Sequence, residues 1–149
     1  MNLEETGKLI GRISIYHPNF GSGLNDEQRT QTIIAWYELL NDYTYADCLE
    51  AVKNYYATAD TPWIMPADII RRVQDIQTDR LQKFGGFMPL NPADEFDSHG
   101  NIAPDYHQKI KALHQLAKHG QITPAQYAAY QAEKLTLTQL HHQAKEITQ

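Results

Sequence analysis

Side chains that could attack a substrate or transfer a proton are few in this sequence and lack a catalytic arrangement. Nucleophilic catalysis needs a Ser or Cys beside a base. Cys48 is the only cysteine, and it falls on the apolar stripe of a predicted helix. The serines occur in helix, turn and linker contexts without a nucleophile-elbow pattern, at Ser14, Ser22 and Ser98. We therefore predict no catalytic residue and a protein that is not an enzyme.

Metal and nucleotide sites are not indicated either. Five of the seven histidines lie from His107 onward, and neutral imidazole is a common metal ligand. Histidines in this segment are either two helical turns apart or adjacent, so no pair converges on one ion: His107 with His114, and His141 with His142. Residues 21–23, Gly-Ser-Gly, resemble part of a phosphate-binding loop, but no lysine follows them. We predict no metal and no cofactor, ATP included.

One predicted helix carries a group of basic residues that could contact DNA, namely Arg71, Arg72, Arg80 and Lys83. Acidic residues are interleaved with them, at Asp68, Asp75 and Asp79. Opposite charges at such spacing usually form an exposed, ion-paired helix face. The net charge of -5 also provides no large positive field for a phosphate backbone. A small helical DNA-binding regulator nevertheless remains an alternative, because a short turn between the second and third helices permits a helix-turn-helix.

Apolar spacing predicts an all-α protein whose first part, residues 1–83, is a small four-helix domain. The first helix covers residues 3–17, where apolar residues recur at threes and fours. Polar capping pairs or a proline mark the starts of the next three helices: Asn25 with Gln28, Thr44 with Asp47, and Pro66. No strand pattern competes with this interpretation.

The remainder of the chain divides into a linker and a tail. Residues 84–103 are rich in Gly and Pro without a helical period, which is typical of a linker. Residues 104–149 are predicted as two helices that form a hairpin or a mobile tail, one from Pro104 and one after Thr123. Since this half has few large apolar side chains, we expect it to pack back, to dimerise or to wait for a partner.

The remaining apolar residues favour a protein-binding function. The last predicted helix has an apolar stripe at spacings of three, four and seven, formed by Tyr127, Tyr130, Leu137, Leu140, Ala144 and Ile147. Such a face can dock in a partner's groove. Trp63 lies in a polar loop, where a large aromatic group is either a binding anchor or a plug for the open end of the helical bundle.

Four sequence blocks follow one another in the first 75 residues. They are "YHPNF" at 16–20, "AWYELLNDYTYADCLEAV" at 35–52, "KNYYATADTPWIMPADI" at 53–69, and the helix that follows. In order and spacing they resemble the N-terminal domain of the phage-encoded loader and inhibitor of the replicative DNA helicase. In that family a helix ends in Tyr-Pro plus an aromatic, Trp then precedes Leu and an Asp-Tyr pair, and the last helix begins with Pro.

The resemblance implies a helical N-terminal domain followed by a mobile C-terminal segment that contacts the helicase. It also implies two protein partners, the replicative DNA helicase and an origin-binding initiator, and no ATPase. The long linker and the capped helices of the tail depart from the family, in which a disordered tail is expected. The helicase contact is therefore not carried over residue by residue. Our leading hypothesis is that the tail helix docks on the helicase while residues 1–83 form a scaffold. The residues of that helix predicted to make the contact are Tyr127, Tyr130, Leu137 and Leu140.

The charge near the first residues and the hydropathy of the sequence predict where the protein is located. The first residues include two glutamates where a secretory signal would carry positive charge, and no apolar run approaches membrane-spanning length. We therefore expect a cytoplasmic protein of a bacterial host cell that does not contact a membrane. Besides the DNA-binding regulator, a phage structural or assembly protein with an oligomerising tail remains an alternative.

Overall fold

In a computed structural model the described part of the chain, the backbone of residues 1–147 and the side chains of residues 1–144, forms eight helices and no strand. They are α1 (Leu3–Tyr16), α2 (Asp26–Leu40), α3 (Tyr45–Thr58), α4 (Pro66–Gln82), α5 (Pro92–Glu95), α6 (Tyr106–Lys118), α7 (Pro124–Gln131) and α8 (Leu137–Ile147). The prediction of an all-α protein is confirmed. Among the described helices, none is long and apolar enough to cross a membrane.

Local capping explains where the first helices begin. The Asn25 side chain accepts the Gln28 N–H, and the Gln28 side chain accepts the Asn25 N–H, which is the predicted capping box of α2. Thr44 caps α3 by accepting the Asp47 N–H, and α4 begins at Pro66 as predicted. Each cap satisfies an amide that has no partner within its helix, so these polar residues determine the helix starts.

The chain divides into two compact units, Met1–Ile76 and Gln77–Gln149, and the division falls inside α4. The core of the first unit contains apolar residues from α1, α2, α3 and the first turns of α4, including Leu9, Ile13, Leu40, Val52 and Ile69. Trp36 is buried at its edge, where its ring meets Phe20 edge-on. Four helical segments thus share one core, as the apolar stripes predicted.

The second unit has a core of its own, which the sequence analysis did not anticipate. Its buried residues include Met88 and Leu90, which lie in the predicted linker 84–103, together with residues of α6, α7 and α8. Within the same segment Asn91 caps α5, and Phe96 pairs with Ile102 in an isolated β-bridge. These contacts follow no regular spacing in the sequence. The Gly- and Pro-rich composition of the segment therefore indicated a linker. The division into a helical domain at 1–83, a linker at 84–103 and a tail at 104–149 stays a prediction.

A turn divides the last predicted helix, which was expected to run without a break after Thr123. The Lys134 N–H donates to the Ala129 carbonyl and Glu133 has a φ of 56°, a left-handed conformation that ends α7. Thr136 and Gln139 then form reciprocal hydrogen bonds that start α8. The expectation of one long helix is wrong because this second capping pair was overlooked. The side chain of Ile147, the last member of the predicted stripe, lies outside the described residues.

Candidate protein-binding surface

The four tail residues predicted to dock on a partner lie mostly inside the second unit. Tyr130 and Leu140 are fully buried, Leu137 is nearly so, and Tyr127 is half-buried. In this conformation they stabilise the unit and do not form an exposed face. A contact between these side chains and a partner stays a prediction, and it requires α7 or α8 to detach from the core.

Polar contacts hold Tyr130 in place. Its hydroxyl donates to Oδ2 of Asp94 at 3.0 Å and accepts the Asn91 N–H at 3.2 Å. The Asn91 side-chain amide donates to the Tyr130 carbonyl at 3.0 Å, and Lys109 lies 3.4 Å from the other carboxylate oxygen of Asp94. Burial raises the pKa of the Tyr130 hydroxyl, so it remains protonated and keeps donating to Asp94. The network joins α7 to the segment around α5.

Trp63, the fifth predicted contact residue, is exposed on the first unit. Its side chain is 62% accessible to solvent. Two tyrosines of α3 hold the backbone of its loop: the Tyr55 hydroxyl donates to the Trp63 carbonyl at 2.8 Å, and the Tyr56 hydroxyl donates to the Pro62 carbonyl at 3.1 Å. A loop anchored at both positions presents its indole in a defined place, and most of that ring remains available for contact.

Further aromatic rings surround this loop. The ring of the buried His17 meets Trp63 edge-on with centroids 4.6 Å apart, and the neighbouring Tyr16 stacks on Tyr56 at 5.0 Å. Tyr16 is 44% exposed. We call Tyr16, Tyr56 and Trp63 the Trp63 surface. Stacked and edge-on ring pairs stabilise one another beyond their buried area, so the surface is organised before any partner arrives.

Sequence reasoning missed the part of Tyr16 and Tyr56 in this surface. A signal for it was present in the sequence. Tyr55 and Tyr56 are adjacent on α3, and adjacent residues of a helix cannot point in the same direction. Tyr55 is buried, whereas Tyr56 is partly exposed.

The unit that carries the Trp63 surface is similar to a known protein domain. Residues 1–64 match the family model for the N-terminal domain of gp39P, the phage helicase loader and inhibitor. The first unit is similar to that domain over residues 1–64. The resemblance noted from the sequence is therefore confirmed. No curated protein and no solved structure matches the chain. All members of the Trp63 surface lie within the matched residues.

The basic residues considered for DNA contact do not form one set. Arg71 and Arg72 belong to the first unit, and Arg80 and Lys83 belong to the second unit. Arg71 pairs with Asp68 at 3.2 Å, and the guanidinium of Arg72 lies 4.8 Å from the centroid of the Tyr55 ring. Arg80 donates to the Lys118 carbonyl at 3.4 Å.

Three of these four side chains, all except Lys83, are therefore engaged within the chain. This geometry does not favour a continuous row of cations that could bind phosphates.

The first unit also contains the chain's thiol, which is held in an unreactive state. Cys48 is fully buried in the core of the first unit, and burial raises the pKa of its thiol to about 12. Thiolate is the nucleophilic form of cysteine, so this residue is not poised for attack at neutral pH. Within the described residues, no group of three or more His, Cys, Asp or Glu side chains could hold a metal ion.

Proposed function

We propose that this protein binds a replicative hexameric DNA helicase during phage or prophage DNA replication and controls the loading or the activity of that helicase. The match of residues 1–64 to the loader/inhibitor domain carries the proposal. In this role the protein supplies a binding surface and no chemistry of its own. It acts in the cytoplasm of the bacterial host, and an origin-binding initiator is a second protein partner.

The Trp63 surface is the contact that we propose on the first unit. Trp and Tyr are enriched among residues that dominate binding energies, because they bury large rigid areas at low entropic cost. Here hydrogen bonds hold the Tyr56 hydroxyl and the Trp63 backbone. Tyr16 and Tyr56 stack on each other, and Trp63 packs against His17. Little conformational freedom therefore remains to be lost on binding. Exposed Met65, two residues from Trp63, adds apolar area to the surface.

The second unit contributes to the same complex in our proposal, through opening of α7 and α8. Deleting residues 104–149 would expose Met88 and Leu90, which pack against the helices that this deletion removes. A loss of binding by that truncated protein would therefore not identify the contact. Single substitutions in the full-length chain distinguish the two units better.

Calorimetric titration of the full-length protein with the purified replicative helicase of the host tests the function. We expect binding by the wild type and an affinity loss of at least about tenfold for Trp63→Ala, as for a residue at the centre of an interface. Phe87→Ala is the matched control, because Phe87 is an aromatic residue that is 71% exposed and lies outside the residues that match the family model.

The possible results separate the function from the surface. Absence of wild-type binding refutes the helicase proposal. Wild-type binding with equal affinity for both variants supports the function and refutes the Trp63 surface as the contact. A helicase assay with ATP then measures whether the bound protein raises or lowers DNA unwinding, which distinguishes a loader from an inhibitor.

A further inference from the structure

A second feature of the first unit is an apolar groove between α1 and α2. Its deeper part has a volume of about 460 Å³ and is lined by residues that include Ile10, Gly11, Phe20, Leu24 and Ile33. A shallower part continues along the same helices beside Leu3, Gly7 and Ile34. We call the two parts together the α1–α2 groove. They share Gly7 and Ile33 in their linings, so the groove is continuous along the helix pair.

The length and floor of the α1–α2 groove suit a helix. The 14 residues of α1 extend over roughly 21 Å at 1.5 Å per residue, which matches about four helical turns. Gly7, Gly11 and Ser14 occupy the α1 side, and a Cβ at Gly11 would meet nothing within 4 Å. Small residues on one helix allow another backbone to approach closely, and Leu3, at 47% exposure, would be covered by it.

Charge indicates what kind of helix would fit. Residues 1–76 contain six Lys and Arg against eleven Asp and Glu, a net charge of -5, whereas residues 77–149 contain seven of each. The whole negative excess therefore belongs to the unit with the groove. The first turns of α1 and α2, near opposite ends of the groove, each carry two carboxylates, Glu4 with Glu5 and Asp26 with Glu27.

Of the residues that line the groove, Glu4 is paired with Lys8 at 2.7 Å, which offsets its charge. The Nε of Arg29 donates to the Leu24 carbonyl, and the guanidinium keeps its positive charge. The net charge of the unit that surrounds the groove is nevertheless negative. A second copy of this chain would bring the same negative unit and be repelled, and a nucleic acid would be repelled more strongly.

We propose that the α1–α2 groove binds an amphipathic helix of a partner protein that presents apolar residues to the groove and Lys or Arg residues beside it. Apolar side chains at spacings of three and four fill the groove, as in other helix-in-groove complexes. The basic residues steer the partner helix towards the negatively charged unit and increase the association rate, since complementary charge accelerates association. This inference goes beyond the proposed helicase contact and does not depend on it.

A designed peptide tests the proposal with the full-length protein. The probe is a labelled helix of about 14 residues, the length of α1, with Leu on one face and Lys on the other, and its counterpart carries Glu in place of Lys. Fluorescence anisotropy measures the affinity of each. We expect the Lys peptide to bind at least about tenfold more tightly than the Glu peptide, with binding that weakens as salt is added.

Two substitutions localise the binding. Gly11→Phe fills the groove from a position with open space around it, and it replaces a helical glycine, so the fold should be retained. We expect it to weaken Lys-peptide binding at least about tenfold. Gln31→Phe is the matched control, because Gln31 is exposed on α2 and is not among the residues that line the groove.

A measurement on the wild type avoids reliance on any variant. In an NMR titration with the Lys peptide, the amide signals of Gly7 and Gly11 should shift. Unmoved glycine signals, unchanged affinity of Gly11→Phe, or equal affinity for the two peptides would each overturn the proposal. Self-association of the protein that Gly11→Phe abolishes would also overturn it, because the occupant would then be a second copy.

Discussion

Removing the hydroxyl of Tyr130 tests whether the segment around α5 belongs to a cooperative core. Tyr130→Phe keeps the buried ring and deletes two hydrogen bonds, one from the Asn91 N–H and one to the Asp94 carboxylate. The Asn91 N–H then loses its acceptor in a buried place, which costs about 1 kcal/mol or more. The bond to the carboxylate contributes about 1 kcal/mol further, since Asp94 keeps its contact with Lys109.

The expected decrease in the free energy of unfolding is therefore about 2 kcal/mol. Tyr127→Phe is the matched control on the same helix, because its half-buried hydroxyl makes a single hydrogen bond, to the Pro89 carbonyl at 3.1 Å. That carbonyl also accepts from the Gln131 side chain at 2.7 Å. It stays satisfied after the substitution, and the control should lose about 0.5 kcal/mol.

Urea unfolding measures the two differences, and hydrogen exchange shows where they arise. Amides of the predicted linker, residues 84–103, should exchange faster in Tyr130→Phe than in Tyr127→Phe, because the lost bonds hold that segment. Equal stabilities of the two variants, or exchange in 84–103 that is fast already in the wild type, would refute the packed network and favour a loose linker.

Two further predictions concern buried groups. Met88→Ala should lower the free energy of unfolding by about 2–4 kcal/mol because it leaves a cavity. Its exposed neighbour provides the control, and Phe87→Ala should change the free energy of unfolding by about 0.5 kcal/mol or less. Equal effects of the two substitutions in urea unfolding would contradict the buried position of Met88. Raising the pH from about 9 to about 11 should lower the stability of the wild type more than that of Cys48→Ala. The thiol of the folded protein has a pKa raised to about 12 and keeps its proton, whereas the thiol of the unfolded chain releases it. Coincident pH profiles of the two proteins would contradict the second expectation.

The helices of the first unit were predictable because local rules determine them. Asn25 with Gln28 and Thr44 with Asp47 are short-range pairs whose geometry depends on the helix start alone. The apolar stripes that follow have the helical period, so the buried faces of the first four helices followed from the sequence. The resemblance to the loader/inhibitor domain rested on the same residues.

The second unit was harder to predict because its contacts are not periodic. Met88 and Leu90 are single apolar residues among glycines and prolines, and their burial depends on partners from α6 to α8. The hydrogen bond between Asn91 and the Tyr130 carbonyl joins residues 39 positions apart, which no local pattern specifies. Similarly, the apolar stripe of the tail predicted a partner-binding face, and in the structure most of its described side chains pack in the core of the second unit.

The division of aromatic residues between the two units has a practical consequence for spectroscopy. Both tryptophans lie in the first unit, one buried and one exposed: Trp36 is 8% accessible and Trp63 is 62% accessible. Iodide should quench the red-shifted emission of Trp63 and spare the blue-shifted emission of Trp36. Intrinsic fluorescence therefore carries two separable signals, one for the folding of the helical core and one for occupancy of the surface beside it.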